Sequence, residues 1–270
     1  MSSKTATLNG VRVLDFTRVL AGPFATMLLA DLGADVIKIE RPGVGDDTRR
    51  FGPPFLEGES TYFLSINRGK RSATIDLKSD SGQAVIRRLA AESDVLVENF
   101  RPGVLERLGF GYEALHALNP RLIYASISGF GHDGIPKFSQ APGYDLMVQA
   151  LSGVASLTGA ATSPPSKAGV SIGDMVGGLY AVHGILAALY EREKSGVGHR
   201  IDISMFDGLV SLLTYQAGSY LGTGKVPSRM GNRHPSICPF ETFEASDGHL
   251  AVCCGNDSLF VQLCEALEQP

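Results

Sequence analysis

The feature of this chain that most constrains its fold is a strand–helix–strand pattern near the N-terminus. An apolar run at Val11–Phe16 predicts a strand, and Pro23–Leu32 has the apolar spacing of a helix. Gly33 ends that helix, and Asp35–Glu40 predicts a second strand. Because parallel strands joined through a helix need a right-handed crossover, we expect the chain to begin with a βαβ unit.

The same alternation of strands and helices continues along the chain. Further strands are predicted at 73–77, 94–98, 122–128 and 200–204, and helices at 81–93, 104–108, 112–118, 177–193 and 205–220. This order predicts an α/β fold, with a Rossmann-like open parallel sheet and helices on both of its faces.

The predicted domain organisation has four parts. Residues 1–7 are polar, lack the features of a secretory signal, and are expected to form a flexible N-terminal tail. Residues 8–222 are expected to form the large domain, and glycines and prolines at 223–239 predict a linker or active-site loop. Residues 240–270 predict a hairpin and one helix. Since these bury little apolar surface, we expect the start of a small, truncated α+β domain.

Composition narrows the class of protein. Hydrophobic residues make up 44% and charged residues 19% of the chain, which is typical of a globular enzyme and not of a disordered protein. The net charge of −4 argues against a nucleic-acid partner. The apolar run Leu179–Leu189 is bounded by Glu191 and Lys194, so no membrane span is expected. The four cysteines lack zinc spacing, which predicts no metal site and a reducing compartment: the cytoplasm, or a mitochondrial or peroxisomal matrix.

Asp174 is the strongest candidate for a catalytic group. It lies between glycines, before the apolar run Leu179–Leu189 that predicts a helix. At a helix N-terminus the free N–H groups and the helix dipole favour an anion, which predicts a lowered pKa. One interpretation is an N-cap. The other is an exposed, ionised nucleophile, because Gly173, Gly177 and Gly178 would leave room for a bulky ligand.

Basic residues predict an anionic ligand. The loop at 17–24 has one glycine and lacks the dinucleotide-binding GxGxxG pattern, so an NAD site is disfavoured. Arg41 closes the second predicted strand, and is either a phosphate ligand or a solvated loop residue. Other basic residues near predicted strand ends suggest a ligand with several phosphates; they are Arg68, Lys70, Arg71, Arg101 and Lys137.

Several long segments, in the same order along the chain, resemble the class III CoA-transferases. This family groups formyl-CoA transferase, carnitine CoA-transferase and alpha-methylacyl-CoA racemase. The segments are LNGVRVLDFTRVLAGPFATMLLADLGADVIKIERPGVGDDTR (8–49), STYFLSINRGKRS (60–72), DVLVENFRPGVLERLG (94–109), PGYD (142–145) and GVSIGDMVGGLYA (169–181). The LAGPFATM and GDDTR runs are most similar to the dicarboxylate CoA-transferases of the family.

The resemblance implies a reaction and a site. It places the family's nucleophile on Asp174 and implies transfer of CoA from an acyl-CoA thioester to a carboxylic acid through an aspartyl covalent intermediate. It implies CoA as the bound substrate, no metal, and a homodimer of interlocked subunits. The implied CoA contacts are Leu20, Ala21, Arg41, Ile75, Lys78, Asn99, Phe100, Arg101, Arg107, Tyr144 and Asp145.

Two departures from the family pattern bear on the chemistry. Racemase-type members carry a histidine where this chain has Tyr144, and tyrosine is a poor base at neutral pH, which favours transfer over racemisation. The loop at 232–237 replaces a run of glycines, and Arg233 and His234 in it are expected to bind a second carboxylate of the acyl group. An acyl-CoA racemase or isomerase, and a non-catalytic CoA-binding fragment, stay open as alternatives.

Overall fold

The computed structural model describes residues 6–134 and 136–269. Residues 1–5 of the predicted tail and residue 270 of the predicted small domain lie outside this description. The strands are β1 (Arg12–Asp15), β2 (Asp35–Glu40), β3 (Phe55–Leu56), β4 (Glu59–Ser60), β5 (Arg71–Thr74), β6 (Val95–Glu98), β7 (Ile123–Ser128), β8 (Arg200–Ser204), β9 (Phe240–Ala245) and β10 (Gly248–Cys253). The α-helices are α1 (Ala21–Asp31), α2 (Thr61–Asn67), α3 (Asp80–Ala91), α4 (Val104–Arg107), α5 (Tyr112–Leu118), α6 (Pro136–Ser139), α7 (Asp145–Leu151), α8 (Val154–Leu157), α9 (Ile172–Ser195), α10 (Met205–Ser211), α11 (Thr214–Thr223) and α12 (Asp257–Ala266).

One parallel sheet organises the structure. Its strands lie in the order β5-β2-β1-β6-β7-β8, and every pair of neighbours is parallel. In the middle of the sheet, Val13 pairs with Val36 on one side and with Val95 on the other. The order reverses beside β1, and such a reversal leaves a crevice outside the carboxyl ends of the strands. The predicted Rossmann-like sheet is confirmed.

Helices bury both faces of this sheet, as its continuous apolar strands require. Leu14 and Leu96, both fully buried, pack with Ile86 of α3 and Leu115 of α5. Helices α1 and α9 pack against each other, α1 also contacts β1, and α9 also contacts β7 and β8. The sheet is therefore the middle layer of a three-layer α/β arrangement.

Helix α9 begins five residues before the start that the sequence predicted. The prediction was 177–193, whereas the helix spans Ile172–Ser195. By length and hydropathy alone it is able to cross a bilayer, because it extends beyond the shorter run Leu179–Leu189 on which the expectation of no membrane span was based. Its packing on α1, β7 and β8 is that of a helix covering a sheet.

Two other elements differ from prediction. The strand predicted at 73–77 lies at Arg71–Thr74, where it pairs with β2. The single helix predicted at 205–220 is two helices, α10 and α11, and Thr214 at the start of α11 has a φ of +33°. A positive φ at a β-branched residue is incompatible with a continuous helix, which explains the break.

The chain forms two compact units. The first holds the residues up to Ser152 and Val170–Leu212; the second holds Gly153–Gly169 and the residues from Leu213 onward. The second unit contains the predicted hairpin, as the antiparallel pair β9–β10, and helix α12. It also takes in α8 and α11, which the predicted boundary at 222 assigned to the large domain.

Candidate active site

The first unit contains a cavity of about 390 Å³ at the carboxyl ends of β1, β6 and β7. Its walls are the loops that follow these strands, the start of α7 and the start of α9. The position is the crevice that the reversal of strand order creates. Of the predicted site residues, the following line it: Leu20, Ala21, Asn99, Phe100, Arg101, Tyr144, Asp145 and Asp174.

Four predicted CoA contacts lie elsewhere. Arg41, Ile75, Lys78 and Arg107 do not line the cavity. Arg41, Lys78 and Arg107 are exposed, and Ile75 is half-buried against the core. Their role as CoA contacts stays a prediction.

Asp174 is the third residue of α9, in the first turn. The helix begins after Ser171, which occupies the N-cap position, so the N-cap interpretation of Asp174 is wrong. Its carboxylate lines the same cavity as Ala21, the first residue of α1, and the Ala21 N–H favours the ionised form of the carboxylate by lowering its pKa. The starts of two helices therefore converge on one carboxylate, an arrangement that favours its ionised form.

The effect of burial on the Asp174 pKa nevertheless exceeds the effect of the two helix N-termini. Desolvation and then the charge of Asp145 raise the pKa of Asp174 to about 7, while the Ala21 N–H lowers it. The predicted lowering of the pKa is thus wrong, and Asp174 is partly buried where an exposed side chain was expected. A carboxyl group with this pKa exchanges its proton near neutral pH.

The glycines around Asp174 pack against protein. A Cβ atom at Gly177 would lie 2.9 Å from Cγ of Met205, and one at Gly178 would lie 2.8 Å from the carbonyl oxygen of Ala21. The prediction that these glycines make room for a ligand is therefore wrong. They let α9 approach α10 and α1 closely, and this approach brings Ala21 to Asp174.

Asp145 is held beside Asp174 by two donors. The N–H of Gly173 donates to Oδ1 of Asp145 at 2.8 Å, and Nε2 of Gln149 donates to Oδ2 at 2.7 Å. Its neighbour Tyr144, with 68% of its surface exposed, lies at the edge of the same cavity. Tyr144 and Asp145, both predicted CoA contacts, therefore line the same cavity as Asp174.

The predicted contact Asn99 has a structural role in the cavity wall. Its side-chain oxygen accepts the N–H of Arg18 at 2.8 Å, and its Nδ2 donates to the carbonyl of Arg18 at 2.7 Å. The Arg18 guanidinium lies 4.9 Å from the Phe100 ring centroid and 3.6 Å from the Asp47 carboxylate. Asn99 thus fixes the backbone of an arginine that lines the cavity.

Sequence reasoning missed several residues of this region, among them Arg18, Asp47 and Tyr62. Arg18 and Asp47 line the cavity, and Arg18 follows a strand end, as the basic residues singled out were expected to do. Burial and then the charge of Asp174 raise the pKa of Tyr62 to about 12. No sequence pattern marked Tyr62, because it comes from α2, far from Asp174 along the chain.

Several of the predicted phosphate ligands are already paired within the protein. Arg68 pairs with Asp31, and Arg71 lies 2.6 Å from the carboxylate of Asp35 at the amino ends of β5 and β2. Lys70 is buried, where it lies 3.1 Å from Asp15. Of the basic residues singled out in the sequence, only Arg101 lines the cavity, so the predicted cluster is not assembled there.

The two predicted carboxylate ligands, Arg233 and His234, lie in the second unit. Arg233 is exposed, and its Nε is 3.9 Å from the Glu241 carboxylate. The His234 ring packs between Tyr215 and Phe240, with centroids 5.4 Å apart in each pair. Their role in substrate binding stays a prediction. Within the described residues, no group of three His, Cys, Asp or Glu side chains is arranged to hold a metal ion.

An α/β sheet with carboxylates and arginines around a crevice at its strand ends defines a class of ligand-binding enzyme folds. Residues 8–270 match the family described as CoA-transferase family III, and the chain belongs to that family. The resemblance found in the sequence motifs is therefore confirmed.

Individual relatives agree with this assignment. The chain is 49% identical over 263 residues to the acetyl-CoA:oxalate CoA-transferase of Acetobacter aceti, covering 97% of this chain and 67% of that protein. It is 46% identical to the succinyl-CoA:glutarate CoA-transferase of Homo sapiens, covering 97% of this chain and 60% of that protein. The chain therefore spans about two thirds or less of the length of these two relatives.

Solved structures share the fold. A CAIB/BAIF family protein from Brucella suis has a TM-score of 0.89 and 46% identity, covering 98% of this chain and 70% of that one. Rv3272 from M. tuberculosis has a TM-score of 0.86 and 34% identity, with the same coverage. These similarities extend over both compact units.

Proposed function

We propose that this chain transfers CoA from an acyl-CoA thioester to a carboxylic acid, with dicarboxylic acids as substrates and Asp174 as the nucleophile. The observation that carries the proposal is the place of Asp174 in the cavity wall, beside the N–H of Ala21. The names of relatives support the substrate class, because they specify oxalate, glutarate and mesaconate.

The cavity offers groups suited to an anionic thioester. Arg18 and Arg101 lie in the same wall as Asp174, and a guanidinium binds phosphate oxygens through two parallel hydrogen bonds. These arginines would hold the phosphates of CoA, and the carbonyl of the thioester would lie against Asp174. No metal is needed to polarise that carbonyl if a backbone N–H does so.

In the proposed reaction, a carboxylate oxygen of Asp174 attacks the thioester carbonyl. A mixed anhydride forms, the carbon–sulfur bond breaks, and CoA leaves as a thiolate. The thiolate attacks the aspartyl carbonyl, which releases the donor acid as a carboxylate and leaves an aspartyl–CoA thioester. The acceptor carboxylate then repeats both steps in reverse. Covalent catalysis divides one difficult exchange into acyl transfers of similar energy.

The N–H of Ala21 would stabilise the charged intermediates. It belongs to the first residue of α1, at the positive end of that helix, and lowers the pKa of the Asp174 carboxyl group. When the aspartyl carbonyl is attacked, its oxygen becomes an oxyanion at the position this N–H already serves. Removing one such donor in other enzymes slows catalysis about 10²–10³-fold.

Substitution of the nucleophile tests the proposal. We expect Asp174→Ala to lose transfer activity by roughly 10⁴-fold or more while CoA affinity changes little. The wild-type protein, incubated with acyl-CoA, should form an enzyme–CoA adduct that hydroxylamine cleaves. Asp207→Ala, at an exposed carboxylate outside this cavity, serves as the control and should retain activity. Substantial turnover by Asp174→Ala, or no adduct in an active wild type, would refute the covalent mechanism.

A second candidate function rests on the pKa of Asp174, since a value of about 7 suits a general base. An acyl-CoA isomerase acting at the α-carbon would incorporate deuterium from heavy water without an acceptor acid. Transfer requires the acceptor and does not exchange the α-proton. Mass spectrometry of acyl-CoA incubated in heavy water, with and without acceptor acids, separates the two. CoA binding without either reaction would identify a non-catalytic CoA-binding fragment.

A further inference from the structure

A buried ion pair contacts the loop between β1 and α1, part of which lines the cavity. Nζ of Lys38 on β2 is 2.8 Å from Oδ2 of Asp46, and these side chains are 1% and 0% exposed. Asp46 also accepts the N–H and hydroxyl of Thr48, at 3.0 and 2.8 Å, and so caps the 3-10 helix Asp47–Arg50. Burying two charges is costly, and an apolar pair of similar volume often stabilises a fold as well. The pair therefore calls for a role beyond stability.

Both members of the pair bind the loop between β1 and α1. Nζ of Lys38 donates to the carbonyl of Thr17 at 2.8 Å, and Oδ1 of Asp46 accepts the N–H of Val19 at 3.3 Å. Asn99 holds the N–H and carbonyl of Arg18, the residue between them. Side chains from three separate segments thus fix three consecutive backbone units.

The loop needs this support because its backbone is strained. Val19 has a φ of +68°, in the left-handed region. A β-branched residue adopts that conformation only when its surroundings over-determine it. Such strain often accompanies a functional requirement, and here it lies two residues before Ala21, which lines the cavity with Asp174 and whose N–H favours the ionised form of that carboxyl group.

We propose that Lys38 and Asp46 are positioning residues, which hold the Thr17–Ala21 loop so that the Ala21 N–H meets the Asp174 carboxyl group. The placement of the N–H is independent of any reaction. Its catalytic consequence, stabilisation of an oxyanion at Asp174, rests on the proposed function. Neither Lys38 nor Asp46 lines the cavity, so both act through the backbone.

The test replaces the pair without changing net charge or side-chain size. We expect Lys38→Met/Asp46→Asn to remove the bond to Thr17 and loosen the loop. Carbon-13 NMR of labelled aspartate, with Asp174→Asn for assignment, should then show the Asp174 pKa rising by about one unit, because a hydrogen bond to the ionised form is lost. Exchange of the Ala21 amide hydrogen should accelerate at least about tenfold.

The matched control is Arg192→Met/Asp94→Asn. It removes another ion pair, 3.0 Å long, whose arginine is buried and whose aspartate precedes β6 at the amino end of the sheet. We expect this control to leave the Asp174 pKa and the Ala21 exchange rate unchanged. A general loss of packing would change both double variants alike, whereas a positioning role changes only the first.

A folded Lys38→Met/Asp46→Asn variant with unchanged Asp174 pKa and Ala21 exchange would overturn the proposal. Should that variant not fold, the milder Asp46→Asn variant, which keeps an oxygen for Val19 and Thr48, must show the same changes in smaller degree, and their absence would overturn it equally. Neither readout needs turnover, so failure of the proposed function is detected separately. In an active enzyme, kcat should fall about tenfold or more while KM for acyl-CoA changes less than about twofold.

Discussion

At the scale of single residues, the central feature is that the proposed nucleophile, Asp174, would act in its ionised form, whereas its surroundings oppose ionisation. Desolvation and the charge of Asp145 raise its pKa to about 7, and one N–H, from Ala21, favours the anion. A desolvated carboxylate is also the more reactive nucleophile, since less hydration must be removed before it attacks. In the proposed reaction, burial would therefore lower the ionised fraction of Asp174 at neutral pH and make the ionised carboxylate more reactive.

This balance predicts the pH dependence of the proposed reaction. The nucleophile is the deprotonated form, so kcat/KM should rise about tenfold per pH unit below pH 7 and level off above the Asp174 pKa of about 7. Initial rates at subsaturating acyl-CoA between pH 5 and pH 9 measure it. A flat profile across that range would contradict nucleophilic attack by Asp174.

The charge of Asp145 sets part of that profile. Asp145→Asn removes the negative charge but keeps an oxygen that accepts the Gly173 N–H. A nearby charge of the same sign raises the pKa, so removing it should lower the Asp174 pKa. The rising part of the kcat/KM profile should then shift to lower pH by about one unit. Asp207→Asn, which neutralises an exposed carboxylate outside the cavity, should leave the pH dependence of kcat/KM unchanged.

At this scale the sequence predicts only features that depend on residues close together in the chain. Asp174 was identifiable because its motif and the helix after it are contiguous in the chain. The direction of its pKa was not, because the helix dipole is a local property whereas burial and the Asp145 charge depend on the fold. Val19 and the Lys38–Asp46 pair gave no sequence signal for the same reason.

At the scale of elements, the contact between α1 and α9 assembles the site. Gly178 allows it, since a Cβ there would lie 2.8 Å from the carbonyl oxygen of Ala21 and 2.9 Å from the Phe24 ring. The first turn of α9 consequently presents Asp174 to the first residue of α1. The site therefore depends on helix spacing as much as on the residues that line the cavity.

We expect Gly178→Ala to force the two helices apart. The added methyl group would lie 2.8 Å from a backbone oxygen, closer than van der Waals contact, so the free energy of unfolding should fall by about 1–3 kcal/mol. Urea denaturation measures the loss, and the Asp174 pKa should rise because the Ala21 bond lengthens. Gly218→Ala in α11 is the control: no atom lies within 4 Å of the added methyl group, so this variant should be at least as stable as wild type. Equal stability of both variants would contradict a tight α1–α9 contact.

Elements differ in how well the sequence predicts them. Strands β1, β2, β6 and β7 were predicted correctly because strands buried on both faces are rich in apolar residues, even though β2 includes the buried Lys38. The first turn of α9 was missed, since its glycines are poor helix formers and tertiary packing stabilises that turn. The short hairpin β3–β4 was missed as well, because its strands are only two residues long.

At the scale of the whole molecule, the second unit exposes many apolar side chains for its size. Its cysteines are free, so no disulfide stabilises it. A contiguous exposed apolar surface on a small unit usually marks an interface. The exposed apolar residues on its hairpin and on or after α12 are Phe243, Leu250, Leu259, Phe260, Val261 and Leu267.

We predict that this surface is covered by a second copy of the chain, in a homodimer with the extensive apolar contact of obligate interfaces. Light scattering at micromolar concentration should give twice the mass of the 28.7 kDa chain. Phe260→Glu should shift the protein toward monomer, because a charge buried in an apolar interface without a partner is costly. Val226→Glu places the same charge at an apolar residue of the second unit that is 80% exposed and outside the predicted 240–270 region, and should leave the dimer intact. A stable, well-folded wild-type monomer would contradict the dimer itself, whereas a dimer insensitive to Phe260→Glu would place its interface on another surface.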